Sequence, residues 1–225
     1  MTDNDQVNNA ERLHVTVFDY GAGNLHSLIK ALETPMSLVR VETDPKLAVQ
    51  STDALVLPGV GAFTPAAERL APGREEMRDA LQRGLPCLGI CLGMQLLFDA
   101  SDEGSGLGLG IFHGRVTKID AQRVPQIGWN GLEDVQDDFA LAAGLEVAYY
   151  ANSFVCRPAD SSVVVAWSEH EGDRFPAMVR NGAILGAQFH PEKSSEPGVR
   201  FIHAFLDETL RERARVGWRS TLESQ

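Results

Sequence analysis

The sequence predicts an α/β fold in which a central, mostly parallel sheet is flanked by helices, with antiparallel hairpins in the C-terminal half. Through the first 100 residues, β-branched runs alternate with stretches whose apolar residues recur at helical spacing, a pattern typical of βαβ units. The second half instead contains short β-like runs, and Asn181-Gly182 between the last two predicts a tight hairpin. The 225 residues, 44% hydrophobic and 23% charged, have a globular composition and the length of one such domain.

The first half is expected to supply four strands and three helices. Turn residues at 21–24 close the first strand, and the apolar residues that follow recur at helical spacing. Pro58-Gly59 ends a short apolar run, and Pro72-Gly73 predicts an irregularity within a longer helical stretch. We expect strands at 13–19, 37–41, 54–57 and 86–90, and helices at 25–32, 66–83 and 92–98.

The second half is expected to add short strands to the same domain, after a glycine-rich loop at 104–110. A closing helix is predicted from Val199 to Arg215. We expect a single domain over residues 13–213, with a disordered tail at 1–12 and a frayed tail at 214–225. The strands predicted in this half cover residues 114–119, 146–150, 163–167, 177–179 and 184–188.

Charge and composition exclude several classes of function. With 20 Lys+Arg against 31 Asp+Glu, the formal charge of −11 argues against a nucleic-acid partner, since such binding needs cations to displace phosphate counterions. No apolar run approaches the roughly 20 residues that span a bilayer, and the polar start lacks the order of a signal peptide. Three cysteines are too few for a disulfide scaffold, so we expect a cytoplasmic enzyme with reduced thiols and no membrane partner.

The sharpest local motif is Gly89-Ile90-Cys91-Leu92-Gly93, between a predicted buried strand and a predicted helix. It matches the nucleophile elbow, in which an abrupt strand-to-helix turn exposes a reactive side chain. The flanking glycines leave room where that turn is crowded, and the helix N-terminus favours the thiolate form of Cys91. A buried structural role is the alternative for any cysteine, and it suits Cys87 and Cys156 better.

A cysteine nucleophile needs a base, and the base needs an orienting acid. His190-Pro191-Glu192 supplies both, because Pro191 favours extended backbone at His190 and residues two apart in extended chain share a side. A metal site at His190 and Glu192 is the weaker interpretation, since no second ligand pair stands at usable spacing.

A glycine-rich segment, Pro58-Gly59-Val60-Gly61, follows the predicted strand at 54–57. Its glycines allow the backbone to present an N–H group into a cleft, as an oxyanion donor for a tetrahedral intermediate. An ordinary turn is the alternative, which the segment alone does not exclude. The nucleophile elbow elsewhere in the chain favours the oxyanion interpretation.

Together these segments resemble the class I, triad-type glutamine amidotransferases, which implies a flavodoxin-like fold. The matching segments are PGVGAF (58–63), PCLGICLGMQLLF (86–98) and GAQFHPEKS (186–194). Within that class, FDYGAGNLHSL (18–28), LGIFHGRV (109–116) and VPQIGWN (124–130) are similar to the glutaminase subunit of a synthase of histidine biosynthesis. The resemblance spans about Val15 to Leu206.

The resemblance implies roles for individual residues. Cys91 is the expected nucleophile, His190 the base and acid, and Glu192 its orienting partner, while the N–H groups of Val60 and Leu92 form the oxyanion hole. No cofactor and no metal ion are implied. Residues 151–154 are Ala-Asn-Ser-Phe where the family often has a VHSY-like run. The positions implied to hold the substrate glutamine are Gly59, Gly61, Gln95, Ser153 and Phe154.

The resemblance also implies a heterodimer with a cyclase subunit of (β/α)-barrel fold, which receives the ammonia. Five residues are expected in loops that face this partner: Tyr20, Asn24, Gln126, Trp129 and Asn130. The alternatives are that Trp129 packs on this chain's own core and that Asn24 caps the helix beginning at Leu25.

Four other functions compete with this interpretation. One is a glutaminase for a different acceptor, as in anthranilate, guanylate or carbamoyl phosphate synthesis, against which PGVGAF and GWN speak. Another is a paralogue serving a surface-sugar pathway. A non-catalytic binding subunit conflicts with the intact Cys91, His190 and Glu192. A cysteine peptidase or other thiol hydrolase is disfavoured by the acid two residues beyond the histidine and by Gln95.

Overall fold

The computed structural model describes residues 11–21, 23 and 25–222 and begins with alternating strands and helices. The predicted strands of the first half are all present, with ends that differ from the prediction by one residue. The elements up to the nucleophile elbow are β1 (Leu13–Phe18), α1 (His26–Leu32), β2 (Ser37–Glu42), α2 (Pro45–Ala48), β3 (Ala54–Leu57), α3 (Phe63–Leu70), α4 (Arg74–Gln82), β4 (Cys87–Ile90) and α5 (Leu92–Leu96).

The second half consists mainly of strands, as predicted, and its 104–110 segment is a loop. A long helix ends the described chain. The elements are β5 (Phe98–Ser101), β6 (Phe112–Lys118), β7 (Gln126–Gly131), α6 (Asp138–Ala143), β8 (Val147–Asn152), β9 (Phe154–Pro158), β10 (Val164–His170), β11 (Asp173–Asn181), β12 (Ile184–Ala187) and α7 (Ser195–Leu222).

The main sheet has seven strands in the order β10-β11-β12-β4-β3-β1-β2. The five strands from β12 to β2 are parallel to one another, and β10 and β11 extend this sheet as antiparallel strands. Two smaller sheets, β5-β6-β9 and β7-β8, complete the architecture. The predicted α/β class, with a mostly parallel sheet and C-terminal hairpins, is therefore confirmed.

Two hydrophobic clusters cover the two faces of the main sheet, because successive side chains of a strand point to opposite sides. Val56 of β3 belongs to the cluster that contains Leu28 of α1 and Phe201 of α7. Its neighbour Leu57 belongs to the other cluster, together with helices α3 to α5. The helices thus flank the sheet as predicted. Within the described residues, no helix is both long enough and apolar enough to cross a membrane.

The helices of the first half differ in detail from the prediction. The stretch predicted as one helix at 66–83 consists of α3 and α4, separated by a 3-10 turn at Ala71–Gly73 that contains the predicted irregularity. The helix predicted to reach Phe98 ends at Leu96, because Phe98 begins β5. The Phe98 ring packs against Phe112 of β6 with 5.6 Å between centroids, so tertiary packing determines where this helix ends.

Several elements of the second half were not predicted. The segment expected as a loop around Trp129 is strand β7, which pairs with β8 along its whole length. Helix α6 was also missed, although Asp137 caps its N-terminus and Gly144 ends it in the left-handed conformation, both recognisable signals. The expected hairpin between β11 and β12 is confirmed, with Gly182-Ala183 as the two turn residues.

The chain ends also differ from the expected boundaries. Helix α7 begins at Ser195 rather than Val199 and its backbone continues to Leu222 rather than ending near Arg215. Most of the expected disordered tail, residues 1–10, lies outside the described residues, as do residues 223–225. The domain limits at 13 and 213 remain predictions.

Candidate active site

Three neighbouring parallel strands end at one edge of the main sheet, and each is followed by a segment with predicted function. Strand β4 leads into Cys91, β3 into 58–61, and β12 into His190. Since β4 lies between β3 and β12, the nucleophile candidate stands between the glycine-rich segment and the histidine. The carboxyl edge of parallel strands is the usual ligand-binding edge of such sheets.

The backbone at Cys91 has the strained geometry of a nucleophile elbow. Its φ of 45° and ψ of −102° are rare for a residue with a side chain and cost about 1–3 kcal/mol. The Cys91 N–H donates to the carbonyl of Ala187 at 2.7 Å, which holds the turn against β12. A Cβ at Gly93 would stand 2.0 Å from the carbonyl oxygen of Leu57, and one at Gly89 would stand 2.8 Å from that of Gly93. The steric reason predicted for both glycines is confirmed.

His190 and Glu192 form a buried pair, with Nδ1 of the imidazole 2.9 Å from Oε1 of the carboxylate. The extended chain through Glu192 from which this pairing was predicted is wrong, because Pro191–Lys193 is a 3-10 turn that begins directly after His190. Burial lowers the pKa of His190, but hydrogen bonds to Cys91 and Glu192 and the negative charges of both raise it further, so that the pKa is raised to about 9. His190 thus pairs with the predicted orienting acid and lines the same cavity as the predicted nucleophile. A Cys-His-Glu triad requires residues of these three types in this order.

Gln188 is a further neighbour of Cys91 that the sequence interpretation missed. This fully buried residue directs its side-chain Nε2 at the Cys91 sulfur, 3.5 Å away. Its position two residues before His190 in extended chain was the available signal, because such residues share a side.

The glycine-rich segment 58–61 packs directly against the imidazole. A Cβ at Gly59 would stand 2.8 Å from Cε1 of His190, so only glycine fits there. The hydroxyl of Tyr20 donates to the carbonyl of Pro58, and the Tyr20 ring packs edge-on against Phe18. Burial and the nearby charges of Cys91 and Asp19 raise the pKa of Tyr20, so this donor stays protonated.

A cavity of about 270 Å³ joins these segments. It is smaller than the roughly 300–1,000 Å³ of common ligand pockets and has the scale of an amino acid. Glu192 lies behind His190 rather than in the wall. The other predicted site residues all line the cavity: Gly59, Val60, Gly61, Cys91, Leu92, Gln95, Ser153, Phe154 and His190.

Four lining residues were not predicted as site residues: Glu103, Ala151, Asn152 and Lys193. Glu103 accepts a hydrogen bond from the N–H of Phe63 at 3.0 Å, which fixes its carboxylate beside the cavity. No local sequence motif would have indicated Glu103, whereas Lys193 directly follows His190-Pro191-Glu192 in the sequence.

The two side-chain amides of the cavity hold the same main-chain oxygen. Gln95 Nε2 donates to the carbonyl of Phe154 at 3.1 Å, and Asn152 Nδ2 donates to it at 3.2 Å. The substrate role expected of Gln95 is therefore accompanied by a structural one. These bonds connect α5 and β8 to the start of β9 within the wall of the cavity.

The residues expected to face a partner differ in how far they are buried. Tyr20 and Gln126 are buried in this chain by itself, so their side chains offer little surface to a partner. The hydroxyl of Tyr20 is used by Pro58, and Gln126 lies on the inner side of β7. Asn130 is half-buried and donates to the carbonyl of Glu169. Asn24 lies outside the described residues.

Trp129 is 54% exposed, and it belongs to an apolar surface on the β7-β8 hairpin. Ile127, which was not predicted, is 67% exposed on the same strand. We call this surface the hairpin face; it consists of Ile127, Trp129, Val147, Tyr149 and Ala151, which share one side of the hairpin.

Comparison with known proteins agrees with this geometry. The model of the family "Glutamine amidotransferase class-I" matches residues 16–208. The imidazole glycerol phosphate synthase subunit HisH of Synechococcus sp. is 40% identical over 213 residues, covering 91% of this chain and 98% of that protein. The subunit of the same name from Halobacterium salinarum is 41% identical over 204 residues, covering 86% of this chain and 92% of that protein.

A solved structure agrees at the level of the fold. The structure of PurLQS from Thermotoga maritima superposes with a TM-score of 0.67 at 22% identity, covering 88% of this chain and 99% of that chain. The family model covers every segment that forms the cavity, and the two relatives and this superposition each cover most of the chain. The chain therefore belongs to the class-I glutamine amidotransferase family.

Proposed function

We propose that this chain is the glutaminase subunit of an imidazole glycerol phosphate synthase in histidine biosynthesis. It hydrolyses glutamine to glutamate and ammonia and passes the ammonia to a cyclase subunit. The observation that carries the proposal is the buried His190–Glu192 pair, with its imidazole and Cys91 in the wall of one small polar cavity. The synthase identity is supported by the names of relatives at about 40% identity over most of the chain.

In the proposed reaction, the Cys91 thiolate attacks the side-chain amide carbon of glutamine and forms a C–S bond. The imidazolium of His190 gives its proton to the leaving nitrogen, so the C–N bond breaks and ammonia departs. Neutral His190 then takes a proton from water while the water oxygen attacks the thioester carbon. The C–S bond breaks, and glutamate and the thiolate are released. Glu192 holds Nδ1 throughout, which leaves Nε2 for these transfers.

The oxyanion of each tetrahedral intermediate is assigned to the main-chain N–H groups of Val60 and Leu92. Both residues line the cavity: Val60 follows the neighbouring strand β3, and Leu92 directly follows Cys91 at the start of α5. A preorganised donor of this kind is worth about 3 kcal/mol of transition-state stabilisation. The close packing of Gly59 on His190 keeps that segment near the reacting carbon.

The charged groups of glutamine have candidate partners at the open side of the cavity. We assign the α-ammonium group to the Glu103 carboxylate and the α-carboxylate to the Lys193 ammonium, because both side chains line the cavity with opposite charges. Gln95, Ser153 and Phe154 form the wall beside them. This arrangement selects a free amino acid over a peptide, in which the α-groups are amides.

The ammonia acceptor is proposed to be a cyclase subunit of (β/α)-barrel fold that docks on the hairpin face. That face is exposed and apolar, and its Ala151 also lines the cavity, so a partner seated there lies beside the site of ammonia release. The cyclase would convert its phosphoribulosyl formimino nucleotide to imidazole glycerol phosphate and aminoimidazole carboxamide ribonucleotide. A cytoplasmic location is part of the proposal and agrees with three free thiols.

The decisive experiment compares Cys91→Ser with Cys87→Ala, a change at the buried cysteine four residues earlier. We expect Cys91→Ser to lower glutamine hydrolysis at least about 10³-fold, while the complex still uses ammonium salts for cyclisation. Cys87→Ala should retain glutamine hydrolysis. Glutaminase activity that persists in Cys91→Ser, or that a cyclase and its nucleotide leave unchanged in the wild type, would contradict the proposal.

The docking surface is tested separately by Trp129→Ala. Truncating a central interface tryptophan typically costs about 2 kcal/mol or more, a roughly 30-fold weaker complex. Leu141→Ala serves as the control, because Leu141 is similarly exposed on α6 outside the hairpin face. Equal affinities of the two variants for the cyclase subunit would place the interface elsewhere.

A further inference from the structure

The main chain of His190 is tied to strand β8 directly through its N–H and, by way of Ser194, through its carbonyl, which also accepts from the N–H of Lys193 at 3.0 Å. Its N–H donates to the carbonyl of Tyr149 at 2.8 Å. Its carbonyl accepts from the hydroxyl of Ser194 at 2.7 Å. The position of the imidazole therefore depends on β8 as well as on the strand from which His190 emerges.

Ser194 closes this arrangement into a clamp. Its hydroxyl oxygen also accepts from the N–H of Tyr149 at 2.9 Å, so one atom joins Tyr149 to the carbonyl of His190. Ser194 is 1% exposed, which leaves little access for a water that would replace the hydroxyl. Gly198 packs against it so closely that a Cβ there would stand 2.7 Å from the Ser194 Cβ.

Both polar main-chain groups of Tyr149 are thus directed at the His190 segment. Tyr149 lies opposite Trp129 in the hairpin, and with its N–H and carbonyl occupied elsewhere this is a non-hydrogen-bonded pair, in which side chains are close. The two rings pack edge-on with 6.2 Å between centroids. Tyr149 therefore joins the two: its main chain bonds to the His190 segment, and its side chain belongs to the hairpin face.

We propose that Ser194 is a positioning residue that fixes His190 against β8 and so sets the approach of the imidazole to Cys91. The inference rests on the proposed glutaminase function. A displacement of about 1 Å at a reacting group can cost roughly 10²-fold in rate, so loss of one clamp bond is expected to cost less than that limit. Substrate binding is affected little, because Ser194 does not line the cavity.

The test is the steady-state kinetics of Ser194→Ala in the complex with the cyclase subunit, across a pH series. We expect kcat for glutamine to fall about tenfold with KM changed less than about twofold. The basic limb of the pH profile should move below pH 9, because a displaced imidazole loses contact with the groups that raise its pKa. Ser168→Ala is the control: this buried serine donates to the carbonyl of Gly131, away from the cavity.

Each outcome decides the matter. The inference would be overturned if Ser194→Ala had the same kcat and the same basic limb of the pH profile as the wild type. It would also be overturned if Ser168→Ala lost as much kcat as Ser194→Ala while the basic limb of Ser194→Ala did not move. If Ser194→Ala does not fold, Ser194→Cys keeps a weaker donor at this position and should show an intermediate kcat and basic limb. Wild-type protein without glutamine hydrolysis would instead contradict the proposed function.

Discussion

The imidazole of His190 lies directly on the Cα of Gly59: a Cβ added there would stand 2.8 Å from Cε1 and 3.1 Å from Nδ1. Two segments that follow different strands, β12 and β3, are thereby packed in contact beside Cys91. The strand order β12-β4-β3 explains the contact, because both segments flank the strand that ends in the elbow. Position 59 requires glycine because the His190 imidazole approaches its Cα too closely for a Cβ.

Gly59→Ala should therefore inactivate the enzyme while leaving the fold intact. The added methyl group must displace either the imidazole or segment 58–61, and we expect glutamine hydrolysis to fall on the order of 10²-fold. Gly131→Ala is the matched control, since a Cβ there meets nothing within 4 Å. Thermal unfolding and glutaminase rates of both variants give the answer. Wild-type turnover in Gly59→Ala would mean that the contact is not maintained in the working enzyme.

The raised pKa of His190 predicts how stability varies with pH. The pKa is raised from 6.5 to about 9 in the folded chain, so the folded state binds the proton more tightly than the unfolded state. This contribution to the free energy of unfolding is fully present below about pH 6.5 and is lost as the pH rises through about 9. Urea titrations between pH 6 and pH 10 should show the decline.

Glu192→Gln is the comparison for this pH dependence, because it removes one of the two charges that raise the pKa of His190. We expect a smaller loss of stability over the same range of pH. Glutamine hydrolysis by the wild type should also decline above about pH 9, where the imidazolium that protonates the leaving amide nitrogen disappears. Identical stability profiles for wild type and variant would contradict this account.

The candidate catalytic residues were brought together by signals that are local in the sequence. The elbow around Cys91 and the spacing of His190 and Glu192 each fit within five residues, and parallel strands bring such segments to one edge. Glu103 and Ser194 were not predictable in this way. Their roles depend on contacts with residues 40 or more positions away, such as Glu103 with Phe63 and Ser194 with Tyr149.

Tyr20 is a second residue whose environment is determined by distant contacts rather than by its local motif. Its motif suggested an outward-facing loop, but the ring is buried and its hydroxyl is used by Pro58, 38 residues away. Strand β7 was not predicted either, because a segment with two glycines has weak strand propensity. Its pairing with β8 supplies the stabilisation. In both cases tertiary contacts outweigh the local pattern.

Arg180 and Asp137 form a pair whose disruption should affect stability rather than catalysis. The Asp137 side chain is fully buried, accepts from Arg180 at 2.7 Å and caps α6 through the N–H groups of Phe139 and Ala140. Arg180→Met leaves this carboxylate unpaired and should cost about 3 kcal/mol. Adding Asp137→Asn, which keeps a capping side chain but removes the charge, should recover part of that loss. Denaturant unfolding measures both, and an additive loss in the double variant would refute the pairing argument.

The final prediction concerns the hydroxyl of Tyr20. Tyr20→Phe keeps the ring that packs on Phe18 and removes only the donor to the carbonyl of Pro58. One hydrogen bond contributes about 1 kcal/mol, so we expect kcat/KM for glutamine to fall roughly fivefold through a less firmly held segment 58–61. Alkylation of Cys91 by iodoacetamide, which needs no oxyanion donor, should be unchanged.

Tyr150→Phe is the control for this substitution, because Tyr150 is buried in the hydrophobic cluster on the other face of the sheet. A glutamate γ-semialdehyde analogue, whose adduct with the Cys91 thiol carries an oxyanion, should bind more weakly to Tyr20→Phe than to Tyr150→Phe. Since burial and the charges of Cys91 and Asp19 raise the pKa of Tyr20, the difference should persist across the pH range of activity. Equal binding of the analogue by the two variants would show that Tyr20 does not support the oxyanion segment.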